Sequence, residues 1–241
     1  NMAEAIVKGL LDSATVSGTA LAVAEPLAAR RRSLARRFKL TAFADNRRVA
    51  GSSRILLLAV KPQMMGAVLD ELGGAVGSRT VVVSIAAGVP LARLEDGLGP
   101  EARVVRVMPN TPCLVGRGMS VLCGGRRATA ADLRRCRRLF ETVGQTMVVD
   151  NESLMHAVTA LSGSGPAYVY LFAESMIRAG VSAGLDEATA ERLALETISG
   201  AAEMMLATGR TPAELRRAVS SKGGTTVAGL ERLRAGGLPA A

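Results

Sequence analysis

The chain of 241 residues has no tryptophan, two tyrosines and four phenylalanines. With aromatics at 2%, platforms on which nucleic-acid bases could stack have almost no candidate residues. Histidine occurs once, at His156, and there is no G-x-S-x-G segment, so a serine nucleophile with a histidine base has no sequence footing. The three cysteines, Cys113, Cys123 and Cys136, form no CxxC pair and are odd in number, which argues against a disulfide framework or a zinc site and for a reducing, cytoplasmic setting. Also missing are an apolar run near the roughly 18 residues of a membrane span and a basic-then-apolar leader, so no membrane association is expected.

Charge of one sign is in excess, at +9, but the surplus is mainly arginine spread over amphipathic stretches such as ARRRSLARR (Ala29 to Arg37) and LRRCRRLF (Leu133 to Phe140). These read as solvated helix faces rather than a nucleic-acid patch. A hydrophobic content of 49% suits a packed globular chain. Strand-length apolar runs recur at ALAVA (Ala20 to Ala24), RILLLAV (Arg54 to Val60), TVVVSIA (Thr80 to Ala86) and ARVVRVM (Ala102 to Met108). Continuous rather than alternating runs mean strands covered on both faces, hence a parallel sheet between helix layers. RRRSLARRF and MMGAVLDEL supply crossover helices, and MSVLCG (Met119 to Gly124) and TMVVD (Thr146 to Asp150) are two later strand candidates. Beyond Asp150 only helical patterns follow, with Asp186 an N-cap and Gly180 and Gly209 helix stops. The expected architecture is α/β: a doubly wound, dinucleotide-binding domain over 1–150, then an all-α domain over 151–241.

Two glycine-rich segments in the last third carry the most chemistry: LSGSGPAY (Leu161 to Tyr168) and SSKGGTT (Ser220 to Thr226). Both combine hydroxyls with glycines that let a small anion reach backbone N–H groups. In SSKGGTT the N–H groups through Gly223, Gly224 and Thr225 can cradle a carboxylate, and Ser221 adds a hydroxyl donor. The sheet half offers a second set of candidates at strand ends, where α/β sheets bind ligands. There AVKP (Ala59, Val60, Lys61, Pro62) brings a cation, Ile85, Ala86 and Ala87 bring small side chains, and Asn110 sits between the two prolines of RVMPNTP (Arg106 to Pro112). Glu25, after the ALAVA run, is placed to accept hydrogen bonds from an adenosine ribose and to repel a 2′-phosphate, whereas Arg30, Arg31 and Arg32 just beyond it could hold that phosphate. The sequence leaves NADH and NADPH both open.

Six segments in order, NMAEAI, LLLAVKPQ, VSIAAGV, RVMPNTP, VTALSGSGPAYVY and VSSKGGTT, resemble the pyrroline-5-carboxylate reductases. That resemblance implies a Rossmann domain, a helical dimerisation domain, and reduction of 1-pyrroline-5-carboxylate to L-proline with NADPH or NADH by a homodimer, with a higher oligomer of dimers left open. It also implies residue roles. Asn1 and Met2 fall where the cofactor diphosphate meets a helix start, the AVKP segment lies along the adenosine side, and Asn46 touches the cofactor there. The nicotinamide half passes Ile85 to Ala87 and Asn110, and Thr226 hydrogen-bonds the imine nitrogen. Lys222 stands where many members carry proline. In the family a strand and a GxG turn precede NMA, so the chain is expected to be truncated at the N-terminus and, after GGLPAA, at the C-terminus, and to be a poor enzyme as it stands. Two rival classes are a noncatalytic dinucleotide-binding module and, on charge alone, a nucleic-acid binder. Among enzymes the rival is a related imine or 3-hydroxyacid dehydrogenase, whose catalytic lysine has no counterpart between Lys61 and Lys222.

Overall fold

The computed structural model describes residues 2–238. They form two compact units that divide between Tyr168 and Val169, each with its own internal packing.

In the first unit, helix α1 (Met2–Asp12) precedes a short parallel pair, β1 (Ala22–Ala24) and β2 (Thr41–Phe43), joined by α2 (Ala28–Phe38). Helix α3 (Asn46–Ser52) leads into β3 (Ile55–Leu58), α4 (Met65–Leu72), β4 (Val81–Ser84), α5 (Leu91–Leu98), β5 (Arg103–Met108), β6 (Gly118–Gly124), α6 (Ala130–Glu141) and β7 (Gly144–Val148). The main sheet has the order β3-β4-β5-β6-β7. Its register is uninterrupted from Ile55 opposite Val81 to Val81 opposite Arg103.

Side chains of neighbouring strand residues go to opposite faces, and both faces are covered. Leu56, Leu58, Val82, Val104 and Val121 pack with Met65, Leu69, Leu72 and Leu94 from α4 and α5. Val81, Val83, Val105, Val107 and Leu122 pack with Ile6 and Leu10 of α1 and Cys136 and Phe140 of α6. This three-layer core explains the unbroken apolar runs: every residue of β4 is buried.

The sheet is parallel from β3 to β5, as their unbroken apolar runs imply. β6, whose direction the sequence left open, runs antiparallel to β5, with Val105 opposite Gly124 and Met108 opposite Val121, and β7 is parallel to β6. A parallel return needs a crossover of a dozen or more residues, and the β5 to β6 link is only residues 109–117, with a single 3-10 turn at Thr111–Val115. The link can only fold the chain back on itself.

The second unit is helical. It holds the larger part of α8 (Gly165–Ser182), then α9 (Glu187–Thr208), α10 (Pro212–Ala218) and α11 (Thr225–Ala235). Asp186 caps α9 by accepting the Thr189 N–H at 3.0 Å, and Gly209 ends it at φ 64°. Gly180 does not stop a helix. It lies inside α8, where a Cβ would come 3.1 Å from the Ala190 Cβ, so its lack of a side chain serves helix packing. The contact boundary at Tyr168 and Val169 falls after the expected one at Asp150. Residues past 150 begin by packing on the sheet: Met155, in α7 (Leu154–Val158), is fully buried against the α4 and α5 side of the core.

Phe140 is fully buried, and Phe140→Ala should lower unfolding free energy by about 3–5 kcal/mol in a urea titration, with a folded baseline retained. Burial, and secondarily the Asp132 charge, push the Cys136 thiol from 9.0 up to about 12. The unfolded thiol ionises first, so stability present below pH 9.0 should be lost as pH rises towards about 12. Urea midpoints of the parent should fall more steeply over that window than those of Cys136→Ala.

Candidate functional site

In the first unit the ends of β3, β4 and β5 lie side by side at the carboxyl edge of the sheet, the Ile85 N–H donating to Leu58 O at 3.1 Å. Ala59, Lys61 and Pro62 are exposed there, with Val60 half-buried. Lys61 caps the 3-10 turn Pro62–Met64, its carbonyl taking the Met64 N–H at 2.9 Å. At the end of β4, Ala87 is exposed, but Ala86 is buried in the core and its N–H leans on the Ser84 hydroxyl at 3.3 Å. Ile85 is half-buried against the opposite face. Of these three positions, Ala87 is the open one. Met2 begins α1 and packs against the same layer as Ile85, and the first N–H groups of that helix have no acceptor within it. Asn1 lies outside the described residues.

Two of the expected cofactor residues have other partners. Asn46 opens α3 and gives both its backbone N–H and one N–H of its amide to Glu71 of α4, at 3.2 and 2.6 Å, which leaves the other amide N–H and the side-chain oxygen for a ligand. Asn110 has its carbonyl oxygen on the Met119 N–H at 2.8 Å, while its amide donates long bonds, 3.3 and 3.4 Å, to the carbonyl and hydroxyl of Ser162. It therefore joins the β5 end, the start of β6 and the segment before α8. That segment, Thr159–Gly163, is one turn of π-helix. A Cβ on Gly163 would sit 2.5 Å from the Met108 Cε, so LSGSGPAY uses its glycine to come close to the end of β5.

Sequence reasoning missed Glu152 and Arg106. Arg106, almost fully buried, donates to Glu152 Oε1 at 2.7 Å, and the same oxygen takes the Leu91 N–H at 2.7 Å. Leu91 opens α5 behind Pro90, which supplies no side-chain cap. Glu152 thus caps a helix sixty residues away while neutralising a buried guanidinium on β5. A buried arginine in an otherwise apolar strand run was the available signal.

In the second unit, SSKGGTT is a tight turn running into α11. Gly223 holds φ 73°, and a Cβ on Gly224 would meet the Ser221 hydroxyl oxygen at 2.6 Å. The Gly224 N–H, one of the three amides expected to cradle a carboxylate, is spent inside the turn on Ser221 O at 3.1 Å. Gly223 and Gly224 shape the turn. The N–H groups at the start of α11, on Thr225 and Thr226, are the ones with no acceptor in their own helix. Ser221 and Thr225 are exposed and Thr226 is half-buried.

Comparison with known proteins decides the family. Pyrroline-5-carboxylate reductase from Synechocystis is 42% identical over 229 residues, covering 95% of this chain and 85% of its own length. The chain belongs to the pyrroline-5-carboxylate reductase family. Residues 152–241 match the sequence model described as pyrroline-5-carboxylate reductase dimerisation, and residues 1–88 match that of NADP oxidoreductase, coenzyme F420-dependent. The reductase structure from Coxiella burnetii superposes with a TM-score of 0.91 at 32% identity, over 99% of this chain and 88% of that one. The Plasmodium falciparum enzyme, solved with NADP bound, gives 0.88 at 32% identity over 98% and 87%.

Dimerisation through the helical region agrees with its surface. The buried hydrophobic residues of α8 and α9 are Ala173, Ala190 and Ala194, while Tyr170, Leu171, Phe172, Leu193 and Leu206 are exposed. Large apolar groups outside and alanines inside is the composition of an element that completes its core with a second chain. Among the described residues no helix is long and apolar enough to cross a membrane, and no group of three or more His, Cys, Asp or Glu side chains could hold a metal.

Removing Glu152 leaves Arg106 buried without its counter-charge. Glu152→Ala should cost about 3 kcal/mol in chemical denaturation, and the paired change Arg106→Met with Glu152→Leu should cost clearly less. Equal losses would show that the pair contributes nothing beyond the Leu91 cap.

Proposed function

We propose that this chain reduces 1-pyrroline-5-carboxylate to L-proline, with NADPH or NADH held along the carboxyl edge of the sheet unit and the substrate held by SSKGGTT. The observation that carries the reading is the turn at Gly223 and Gly224, which presents the open start of α11 and two hydroxyls, from Ser221 and Thr226, in one short segment. A helix start with free N–H groups favours a carboxylate, and a glycine turn removes the side chains that would cover it. We assign the Thr225 and Thr226 amides and the Ser221 hydroxyl to the carboxylate, with Lys222 adding positive charge beside them. The Thr226 hydroxyl holds the imine nitrogen.

The residues at the sheet edge fit a dinucleotide by their chemistry: an acidic group after β1, the N–H groups opening α1, a lysine after β3, small side chains after β4 and an amide after β5. In this reading Met2 faces the diphosphate, Glu25, Asn46 and the Ala59 to Pro62 segment line the adenosine half, and Ile85 to Ala87 with Asn110 line the nicotinamide half. When bound, the nicotinamide would supply the hydride that adds to the imine carbon, the ring carbon doubly bonded to nitrogen, and a proton adds to nitrogen. What the chain contributes is position. Two contacts on the substrate, at carboxylate and nitrogen, fix which carbon is presented. A neutral hydroxyl is a weak acid, so Thr226 orients the nitrogen and passes a proton from solvent rather than supplying one outright.

The functional division we assign is 1–150 for the dinucleotide and 151–241 for substrate and dimer contacts. The protein acts as a homodimer in the cytoplasm, where its three buried, unpaired thiols stay reduced. Further association of dimers would be counted by analytical ultracentrifugation.

Thr226→Ala should lower turnover on pyrroline-5-carboxylate by roughly tenfold to a thousandfold, the range for one well-placed hydrogen bond in a site. Affinity for the dinucleotide should hardly change, and Thr226→Ser should keep most activity. Steady-state kinetics of both variants beside a cofactor titration make the comparison. An unimpaired Thr226→Ala enzyme would mean the hydroxyl takes no part.

A further inference from the structure

The end of β1 carries an ion-pair arrangement that bears on which dinucleotide the chain selects, an inference that rests on the cofactor reading above. Glu25 is fixed beside the end of β2 by its N–H, which donates to Phe43 O at 2.9 Å. Its carboxylate is held from two sides. Oε1 accepts the Leu27 N–H at 3.0 Å, at the residue that caps α2, and Oε2 pairs with Arg30 Nε at 3.3 Å. A carboxylate has about four acceptor positions, so roughly two remain, enough for the two hydroxyls of a ribose.

Two of the three arginines that could favour a 2′-phosphate are committed elsewhere. Arg31 spends its Nη1 group on the carbonyls of Glu25 and Pro26, at 2.7 and 3.0 Å, and so builds the loop that presents the carboxylate. Arg30 lies between two carboxylates, Glu25 and Glu4, the second at 3.4 Å, and Glu4 is further held by Arg37 at 2.9 Å. Drawing Arg30 to a phosphate would break two ion pairs. Arg32, two residues along α2 from Arg30, does not share its face.

We propose that Glu25 is the specificity-determining residue of the cofactor site and selects NADH over NADPH, with Arg31 and Arg30 as positioning residues that hold its carboxylate towards the ribose hydroxyls. The charge of Glu25 is only partly offset by Arg30, which is half exposed to solvent. A dianionic 2′-phosphate therefore meets a carboxylate where a diol meets acceptors.

The test is direct binding, by quenching of reduced-nicotinamide fluorescence, and competition by ADP against its 2′-phosphorylated analogue, on the folded dimer. The parent should bind NADH about tenfold more tightly than NADPH. Glu25→Gln keeps an acceptor for Leu27 and removes the charge, and should bring the two cofactors to within about twofold, as should Glu25→Ser. Arg31→Ala should weaken both cofactors by the same factor, because it loosens the loop and not a phosphate contact. Tighter binding of NADPH by the parent, or a loss confined to NADPH in Arg31→Ala, overturns the proposal and makes the arginines the phosphate site. Failure of the parent to bind either dinucleotide or ADP overturns the cofactor reading itself, and this inference with it.

Discussion

One carboxylate oxygen sets how the chain leaves its sheet. Glu152 Oε1 takes a charged donor from Arg106 on β5 and a backbone donor from the first residue of α5. A guanidinium placed almost fully inside a protein is costly unless it is paired, so Arg106 in effect requires a carboxylate at that point. Having one there, the fold also uses it as the cap that Pro90 fails to supply. The segment after β7 is thereby tied to the sheet before the π-helical turn begins. From that anchor, Met155 enters the core, Gly163 settles against Met108, and Asn110 reaches Ser162.

The two glycine motifs do different physical work. At Gly163 the absence of a side chain is a matter of room, because methionine already occupies the space a Cβ would need. At Gly223 it is a matter of conformation, since a left-handed φ of 73° costs other residues energy that glycine does not spend. The first brings two elements into contact. The second leaves backbone donors uncovered, which is the property a carboxylate site needs. Similar composition therefore divides into a packing joint and an open turn.

Polar groups at the sheet edge show the same division between building and binding. Asn46 and Asn110, both read as cofactor contacts, are each hydrogen-bonded to the protein through their side chains. Their side chains fix the start of α3 and the loop after β5, so the geometry of the edge depends on them whether or not a ligand touches them. Glu25 differs in that the bonds holding its carboxylate leave acceptor positions open.

By itself the sequence determined the layered α/β unit and the helical unit after it. Apolar runs such as those at β3, β4 and β5 fit only strands covered on both faces, and the helical spacing beyond residue 150 leaves no strand to be made. It also determined the composition of the open turn, because the glycines and hydroxyls of SSKGGTT lie within a few residues of one another. Less legible were the short elements: β2 has three residues and α3 seven, too few for a periodic pattern to rise above chance. The reversal of β6 came from the length of a connection rather than from strand composition. What tertiary structure alone decided was partnership across distance. Nothing near Glu152 in the chain announces Arg106 or Leu91, and nothing near Glu25 says that Arg30 would be shared with Glu4. Hydrogen bonds and ion pairs act over about 3 Å in space, so their partners are set by how the strands and helices are stacked. Which SSKGGTT amides stay open was settled likewise, by the turn closing its Gly224 N–H onto Ser221.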